Sequence, residues 1–302
     1  MTRVTRKPLL VVCLSIALAA LVSAQQDFSK VEIKTTKLAG NLYQLEGQGG
    51  HIGILTGPDG VLMVDSQFAP LSDKIVAAIK AIDAGPIRFL INTHVHGDHT
   101  GGNANFAALG ATIIARPQLR ARLEKPSPTA TGAPAPPAPA AALPRLTYDA
   151  PMTFHMNGEQ VQLIPIPAAH TDGDTLVKFV NADVIMTGDF YRSLGYPNID
   201  RANGGSMSGM IAGLNKVIEL SGHSTRILPG HGTIVNRSAV DAHRDILTGV
   251  RDKIAPMVKK GMTVEQVIAA KPTSDFDALV PGIGTTGERF IGQVYAEVSA
   301  AR

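Results

Sequence analysis

His94-Val95-His96-Gly97-Asp98-His99 follows directly on the apolar run at residues 87–92. That run reads as a strand inside a covered sheet, so the polar cluster lies at a strand end, where open α/β sheets present ligands. In extended chain His94 and His96 point the same way. Asp98 and His99 then face another direction, with Gly97 expected to permit the change. One short segment therefore offers four donors to two adjacent metal ions. Imidazole and carboxylate donors suit zinc, and they also take iron and manganese. The plainer alternative is a surface loop with incidental histidines; the buried strand ahead of it argues against that.

The arrangement recurs downstream. His170 follows the apolar strand through Pro165 and Pro167, within Ala-Ala-His-Thr-Asp-Gly. Asp189 follows residues 184–186 within Thr-Gly-Asp, and His231 follows Ile227-Leu228 within Pro-Gly-His-Gly. A single catalytic zinc takes three protein ligands and keeps one open position. His94, His96, Asp98, His99, His170, Asp189 and His231 exceed that, which points to two metals. Asp65 ends the apolar run at 60–65 and is placed to accept a hydrogen bond from a ligand histidine, as such histidines require. A strand-end cap is its alternative role. His51, beside Gly49-Gly50, is a weaker candidate for the groove. Thr93 and Thr187 read as strand residues, and His155, His223 and His243 as surface residues.

Outward from these sites, residues 31–38, 41–45, 51–55 and 60–65 read as strands punctuated by glycine. Leu71, Ile75, Ala78, Ile79 and Ile82 recur at helical spacing. Strand and helix signals continue to about residue 123. Seven prolines then fall within residues 126–144, among Ala and Thr. That composition reads as an extended mobile loop that packs as neither helix nor strand. Strands resume near 160–166, 176–180, 184–186 and 226–228. Helices are expected at 206–220, 238–255, 264–270 and 287–298. Because the ligand candidates fall on both sides of the proline-rich segment, residues 25–302 are expected to form one domain. Strands followed by helices in each half suit an α/β fold of two mixed sheets packed face to face, helices outside.

Residues 1–24 read as a secretory signal: Arg3, Arg6 and Lys7, an apolar run at 9–22, then Val22-Ser23-Ala24 at the cleavage positions. The run is short of the roughly 20 residues that span a bilayer, so no membrane anchor is expected after cleavage. Removal of three bases and no acid takes the formal charge of +3 to zero. A neutral chain gives no electrostatic footprint for nucleic acid. Cys13, the one cysteine, leaves with the signal, so no thiolate remains as nucleophile or ligand. The expected location is periplasmic or secreted, and the expected partner is a small-molecule substrate. Oligomeric state is not legible.

The histidine cluster, with His170, Gly188-Asp189 and Pro229-Gly230-His231-Gly232, resembles the metallo-β-lactamase superfamily from Asn41 to about His231. The resemblance implies an αββα sandwich with metals in a groove at one sheet edge. It implies that His94, His96 and His170 hold one zinc, that Asp98, His99 and His231 hold a second, and that Asp189 lies between them. Subclass B1 zinc β-lactamases carry a cysteine where Asp189 stands; the glyoxalase II-like branches carry this aspartate. Arg192, three residues after Asp189, resembles in place and charge the B1 lysine that contacts a substrate carboxylate. The B1 flap is reduced here to Gly47-Gln48-Gly49-Gly50.

Zinc lowers the pKa of bound water towards about 7. The expected reaction is attack of that hydroxide on the carbonyl of a small ester, thioester, lactone or β-lactam, with Asp98 orienting it and handling the proton. No Gly-x-Ser-x-Gly elbow competes. Two other functions fit the same residues: an iron-dependent sulfur dioxygenase on this fold, and a non-catalytic metal-binding module.

Overall fold

The structure, a computed structural model, describes residues 27–83, 85–125, 127–128, 134–280, 282 and 285–300. The signal reading at 1–24 lies outside them, as does part of the 126–144 segment. Within Met1–Lys30, Ser29 N–H bonds to Asp27 Oδ1 at 2.9 Å. Val31–Arg302 forms one compact unit that holds every element below.

The first sheet opens as an antiparallel meander, β1 (Lys34–Ala39), β2 (Leu42–Glu46), β3 (Ile52–Leu55) and β4 (Val61–Val64). Helix α1 (Ser72–Ile82) then crosses to β5 (Ile87–Ile91), which pairs parallel with β4. Two short helices follow, α2 (Gly97–Thr100) and α3 (Asn103–Ala108), before β6 (Thr112–Ala115) adds parallel to β5. After α4 (Pro117–Leu123), Ser127–Pro128 (β7) pairs with Pro134–Ala135 (β8), and Ala140–Ala142 makes a 3-10 turn. The expectation that this composition forms neither helix nor strand is thus corrected for its described residues. Partners outside the segment hold part of it: Ala138 N–H bonds to Leu123 O, and Asn103 Nδ2 to Ala142 O. Strand β9 (Leu146–Thr147) closes the sheet.

The second sheet runs β10 (Met152–Met156), β11 (Glu159–Pro165), β12 (Thr175–Phe179) and β13 (Val184–Met186), antiparallel throughout. Helix α5 (Met207–Leu220) crosses to β14 (Arg226–Leu228), parallel to β13. Helices α6 (Arg237–Lys259), α7 (Val264–Ala269) and α8 (Gly287–Ala300) complete the chain. Among the described residues, no helix is long and apolar enough to cross a membrane.

Period-2 alternation splits the second sheet between two cores. Val184 and Met186 pack with Leu62, Val64 and Ile91 of the first sheet. Ile185, between them, packs on the other face with Met210, Leu214, Val250 and Phe290 from α5, α6 and α8. Each such side chain contributes about 1.5–3 kcal/mol when fully buried. The result is the expected sandwich of two mixed sheets with helices outside. It brings the ends of β4, β5, β13 and β14 to one region, because in each pair the strands are parallel and run out together.

Candidate metal centre

At the end of β4, Asp65 turns into the left-handed region, φ +64°, and is 1% exposed. Its Oδ1 accepts from Thr93 N–H at 2.7 Å, and its Oδ2 accepts from Thr93 Oγ1 and His99 Nδ1, each at 2.7 Å. The strand-end carboxylate therefore aims a histidine, and Thr93 is more than a strand residue. Asn92 and Asn103 exchange side-chain hydrogen bonds beneath it, while Ser66 holds His99 O through both N–H and Oγ.

The chain leaves β5 through a bend at 93–95 that carries His94, returns to extended backbone at His96, and enters α2 at Gly97. The direction change comes from this helical turn, in which His99 and Thr100 N–H both bond to His96 O. Gly97 itself is not required: it has no positive φ, and an added Cβ would meet nothing within 4 Å. The expectation placed on Gly97 is corrected accordingly.

Seven side chains converge in three overlapping groups, each with ligand atoms within 4.8 Å of one another. One is His94, His96 and His170; one is Asp98, His99 and His231; the third, His94, His99 and Asp189, joins them. These are the seven residues singled out in the sequence.

The hydrogen bonds fix the histidine tautomers. His96 Nε2–H donates to Asp200 Oδ2 at 2.7 Å, and His170 Nδ1–H donates to Asn198 O at 2.6 Å. His96 Nδ1 and His170 Nε2 therefore present lone pairs, 2.8 Å apart. Thr93 Oγ1, which donates to Asp65, accepts from His94 Nδ1–H at 3.1 Å, leaving His94 Nε2 buried with no hydrogen-bond partner. His99, anchored through Nδ1, likewise leaves Nε2 without one. The lone pairs of His94, His96 and His170 face one another, that of His94 buried and unpaired, at a cost in free energy that a cation removes.

Charge agrees. Burial pushes His94 well down and His170 down to about 4, so both rings are neutral donors at neutral pH. Burial opposes the charge on His99, but Asp65, Asp189 and Asp98 outweigh it and hold its pKa well up, so its Nε2 carries a proton that a bound cation would displace. Burial raises Asp98, yet His99 and His231 bring it down to about 2. Asp189 falls well below the carboxylate range, chiefly through His99 against the cost of burial. Its Oδ1 lies 3.3 Å from both His99 Nε2 and His231 Nε2. The donor set fits divalent metal.

Backbone packs directly on this cluster. A Cβ on Gly50 would lie 2.0 Å from His99 Cε1, and one on Gly230 would lie 2.0 Å from Asp189 Oδ1. The Gly47–Gly50 segment is tied to both ligand loops, by Gly50 N–H to Asp98 O and by His51 N–H to Gly230 O. His51 is buried, with Nδ1 2.9 Å from Pro229 O. A cavity of about 380 Å³ opens beside His96, Gly97 and Asp200, walled also by Arg122, Lys125 and Ala138.

Arg192 has its Nε buried, 4.0 Å from Asp189 Oδ2, and lines a second cavity of about 280 Å³ with Tyr191, His243, Ile246 and Leu279. His155 and His223 are exposed. His243 is half-buried rather than a surface residue: it stacks edge-on with Tyr191 at 5.2 Å, and burial pushes its pKa down to about 4. Sequence reasoning passed over three supporting groups. Asp200 and Asn198 O anchor His96 and His170. Asp174 accepts from His170 N–H at 2.7 Å and from Thr171 Oγ1 at 2.6 Å.

The sequence matches the family model of the metallo-beta-lactamase superfamily over residues 45–247. No curated protein matches it. Among solved structures it is similar to a metallo-beta-lactamase from Pontibacter korlensis, with TM-score 0.61, 15% identity, and 72% of this chain and 99% of that one covered. The DIM-1 metallo-beta-lactamase gives 0.59, 15%, 72% and 99%. The inverting sec-alkylsulfatase Pisa1 from Pseudomonas sp. gives 0.69 at 14%, covering 87% of this chain. Only half of that longer enzyme is spanned. At these identities the similarity shows the fold. The family match covers most of the chain, and the chain belongs to the metallo-β-lactamase superfamily.

Proposed function

We propose that this member of the superfamily is a two-zinc hydrolase, exported through residues 1–24, that cleaves a small ester, thioester, lactone or β-lactam. One observation carries the reading. Two three-residue groups are joined by Asp189 and His94–His99, with the anchored rings of His94, His96 and His170 turning lone pairs inward. His94, His96 and His170 would hold one ion, Asp98, His99 and His231 the other, and Asp189 both. Zinc there supplies an activated water and a Lewis acid for the carbonyl.

The chain's own residues do the rest. Asp200 and Asn198 O hold the His96 and His170 rings, and Asp65 holds His99. Asp98, ionised and partly exposed, is placed to orient the water and to take its proton at a carboxylate oxygen. Gly50 and Gly230 bring backbone against His99 and Asp189, which keeps bulk water from those faces. Arg192, with Nε already near Asp189 Oδ2, is proposed to bind a substrate carboxylate through its remaining donors.

The test is metal content of the mature protein, with a panel of esters, thioesters, lactones and β-lactams. An alkyl sulfate belongs on the panel because of the fold shared with the sulfatase. The expected result is about two zinc ions per chain, since seven donors exceed one site, and hydrolysis of one carbonyl class that a chelator abolishes. A fully loaded protein inert to the whole panel refutes the reading. Oxygen consumption by an iron-loaded form would replace it with the dioxygenase.

A further inference from the structure

The cavity beside His96 is lined by two cationic side chains, Arg122 and Lys125. Arg122, on the last turn of α4, is fixed: Nη2 and Nε bond to the two oxygens of Asp172 at 2.6 and 3.4 Å, and Nη1 bonds to Ala202 O at 2.9 Å. Of its five N–H donors, these contacts use three. Asp172 balances its charge, but two guanidinium N–H donors keep no partner among the described residues, and Arg122 lines the cavity. Lys125, three residues on, also lines the cavity, is exposed, and has no side-chain partner among the described residues. The carboxylate on the same wall, Asp200, is engaged: it accepts from His96 Nε2 and from Asn203 N and Nδ2. The apolar part of the lining is Val95, Leu123, Pro136 and Ala138. One cavity is therefore lined by a metal donor, His96, by apolar side chains and by an exposed cation, Lys125.

We infer that this cavity selects substrates carrying an anionic group, a carboxylate, on the acyl chain beyond the scissile carbonyl, with Lys125 and the free donors of Arg122 as its counter-charges. The inference rests on the hydrolytic reading of the metal centre and adds a substrate class to it. A neutral acyl chain fills the same apolar wall but leaves Lys125 unpaired. A chain with a terminal carboxylate pairs it. Arg122 is a poor probe, because its removal also frees Asp172 and the 200–205 loop. Lys125 has no side-chain partner among the described residues, so it is the position to change.

The experiment compares p-nitrophenyl pentanoate with mono-p-nitrophenyl glutarate, which differ only in methyl against carboxylate at the chain end. The zinc-loaded full chain is expected to prefer the glutarate ester by roughly 1.5- to fivefold in kcat/KM, the range of one exposed charge pair. Lys125→Glu is expected to bring that ratio to one or below, mainly through KM for the glutarate. The same reversal at Lys259, exposed on the last turn of α6, is expected to leave the ratio alone. Calorimetric binding of glutarate against pentanoate to the same preparations reads the cavity even if neither ester is cleaved. Failure to cleave either ester counts against the hydrolytic reading. Equal binding of the two acids by wild type, or glutarate binding unaltered in Lys125→Glu, overturns the assigned cavity.

Discussion

Replacing Gly50 by alanine puts a methyl group where the His99 ring already lies. The added Cβ would sit 2.0 Å from Cε1, 2.4 Å from Nε2 and 2.6 Å from Nδ1. Carbon atoms pack at about 3.5–4.0 Å, so ring and backbone must separate by roughly 1.5 Å. Neither side has slack. Gly50 N–H is bonded to Asp98 O, and Gly50 O accepts from Gln67 Nε2 at 2.7 Å. The ring is fully buried and tied to Asp65 at 2.7 Å. Overpacking of this kind costs about 1–3 kcal/mol. A ligand ring turned off its partner loses roughly 10–100-fold in metal affinity. The loss falls on the Asp98–His99–His231 group, while His94, His96 and His170 keep their anchors.

The assay is a two-site zinc titration, with a thermal melt of the chelated protein beside it. Gly97→Ala is the control. Gly97 is as close to the ligands in sequence, but its added Cβ meets nothing within 4 Å and no positive φ has to be kept. There the melt should be unchanged or raised by the equivalent of about 0.4–1 kcal/mol, with both zinc sites intact. Two wild-type zinc sites in Gly50→Ala would show that His99 is not held as described. An equal loss in Gly97→Ala would show that any added bulk near the cluster is harmful, whatever the packing.

Asp189→Asn keeps the shape and removes the charge; the joining site should weaken roughly 10–100-fold, the scale that loss of a ligand's partner already reaches, and excess zinc should restore part of the activity. Two sites of wild-type affinity there would remove Asp189 from the cluster. Asp200→Ala should weaken zinc at the His94–His96–His170 group more than Asp200→Asn, which keeps an acceptor for His96 Nε2; equal effects would mean that Asp200 only shapes its loop. His243 titrates near 6.5 when unfolded and at about 4 when folded, so between those values the unfolded chain binds more protons and stability falls as pH falls. The full shift corresponds to about 3 kcal/mol, less for a partly exposed ring. Urea midpoints at pH 7.5 and 5 should therefore draw closer together in His243→Leu, and an unchanged gap would refute the burial argument.

Most of the site was legible because the His94 hexapeptide, Asp189 and His231 each follow an apolar run. Buried parallel strands read as unbroken hydrophobic stretches, and the residue after the stretch is the one delivered to the sheet edge. Asp65 was legible for that reason too. Strand β10 was not: Met-Thr-Phe-His-Met has only its last residue buried, and an edge strand half in solvent gives no apolar run. Asp200 reaches His96 across 104 residues, a pairing with no local period. His243 was misread through neglect of register. Val240 and Leu247 are buried on the same helix, and a residue three after one and four before the other shares their face. The glycines at 50 and 230 carried a signal only as breakers; that each abuts a ligand is tertiary information.

The arrangement also explains why one hexapeptide counts for so much. His94 and His96 enter one group, Asp98 and His99 the other, and both pairs come from the end of β5 in the first sheet. Each group is completed from the second sheet, by His170 ahead of β12 or His231 after β14, and Asp189 after β13 reaches between them. Neither group exists within one sheet. The interlocking of Val184, Met186 and Leu228 with Leu62, Val64 and Ile91 sets the distance between the two ligand sets. Core packing is thus what positions the metal donors. A metal shared by the two sheets would return stability to that contact, since whatever binds the folded state alone stabilises it by mass action.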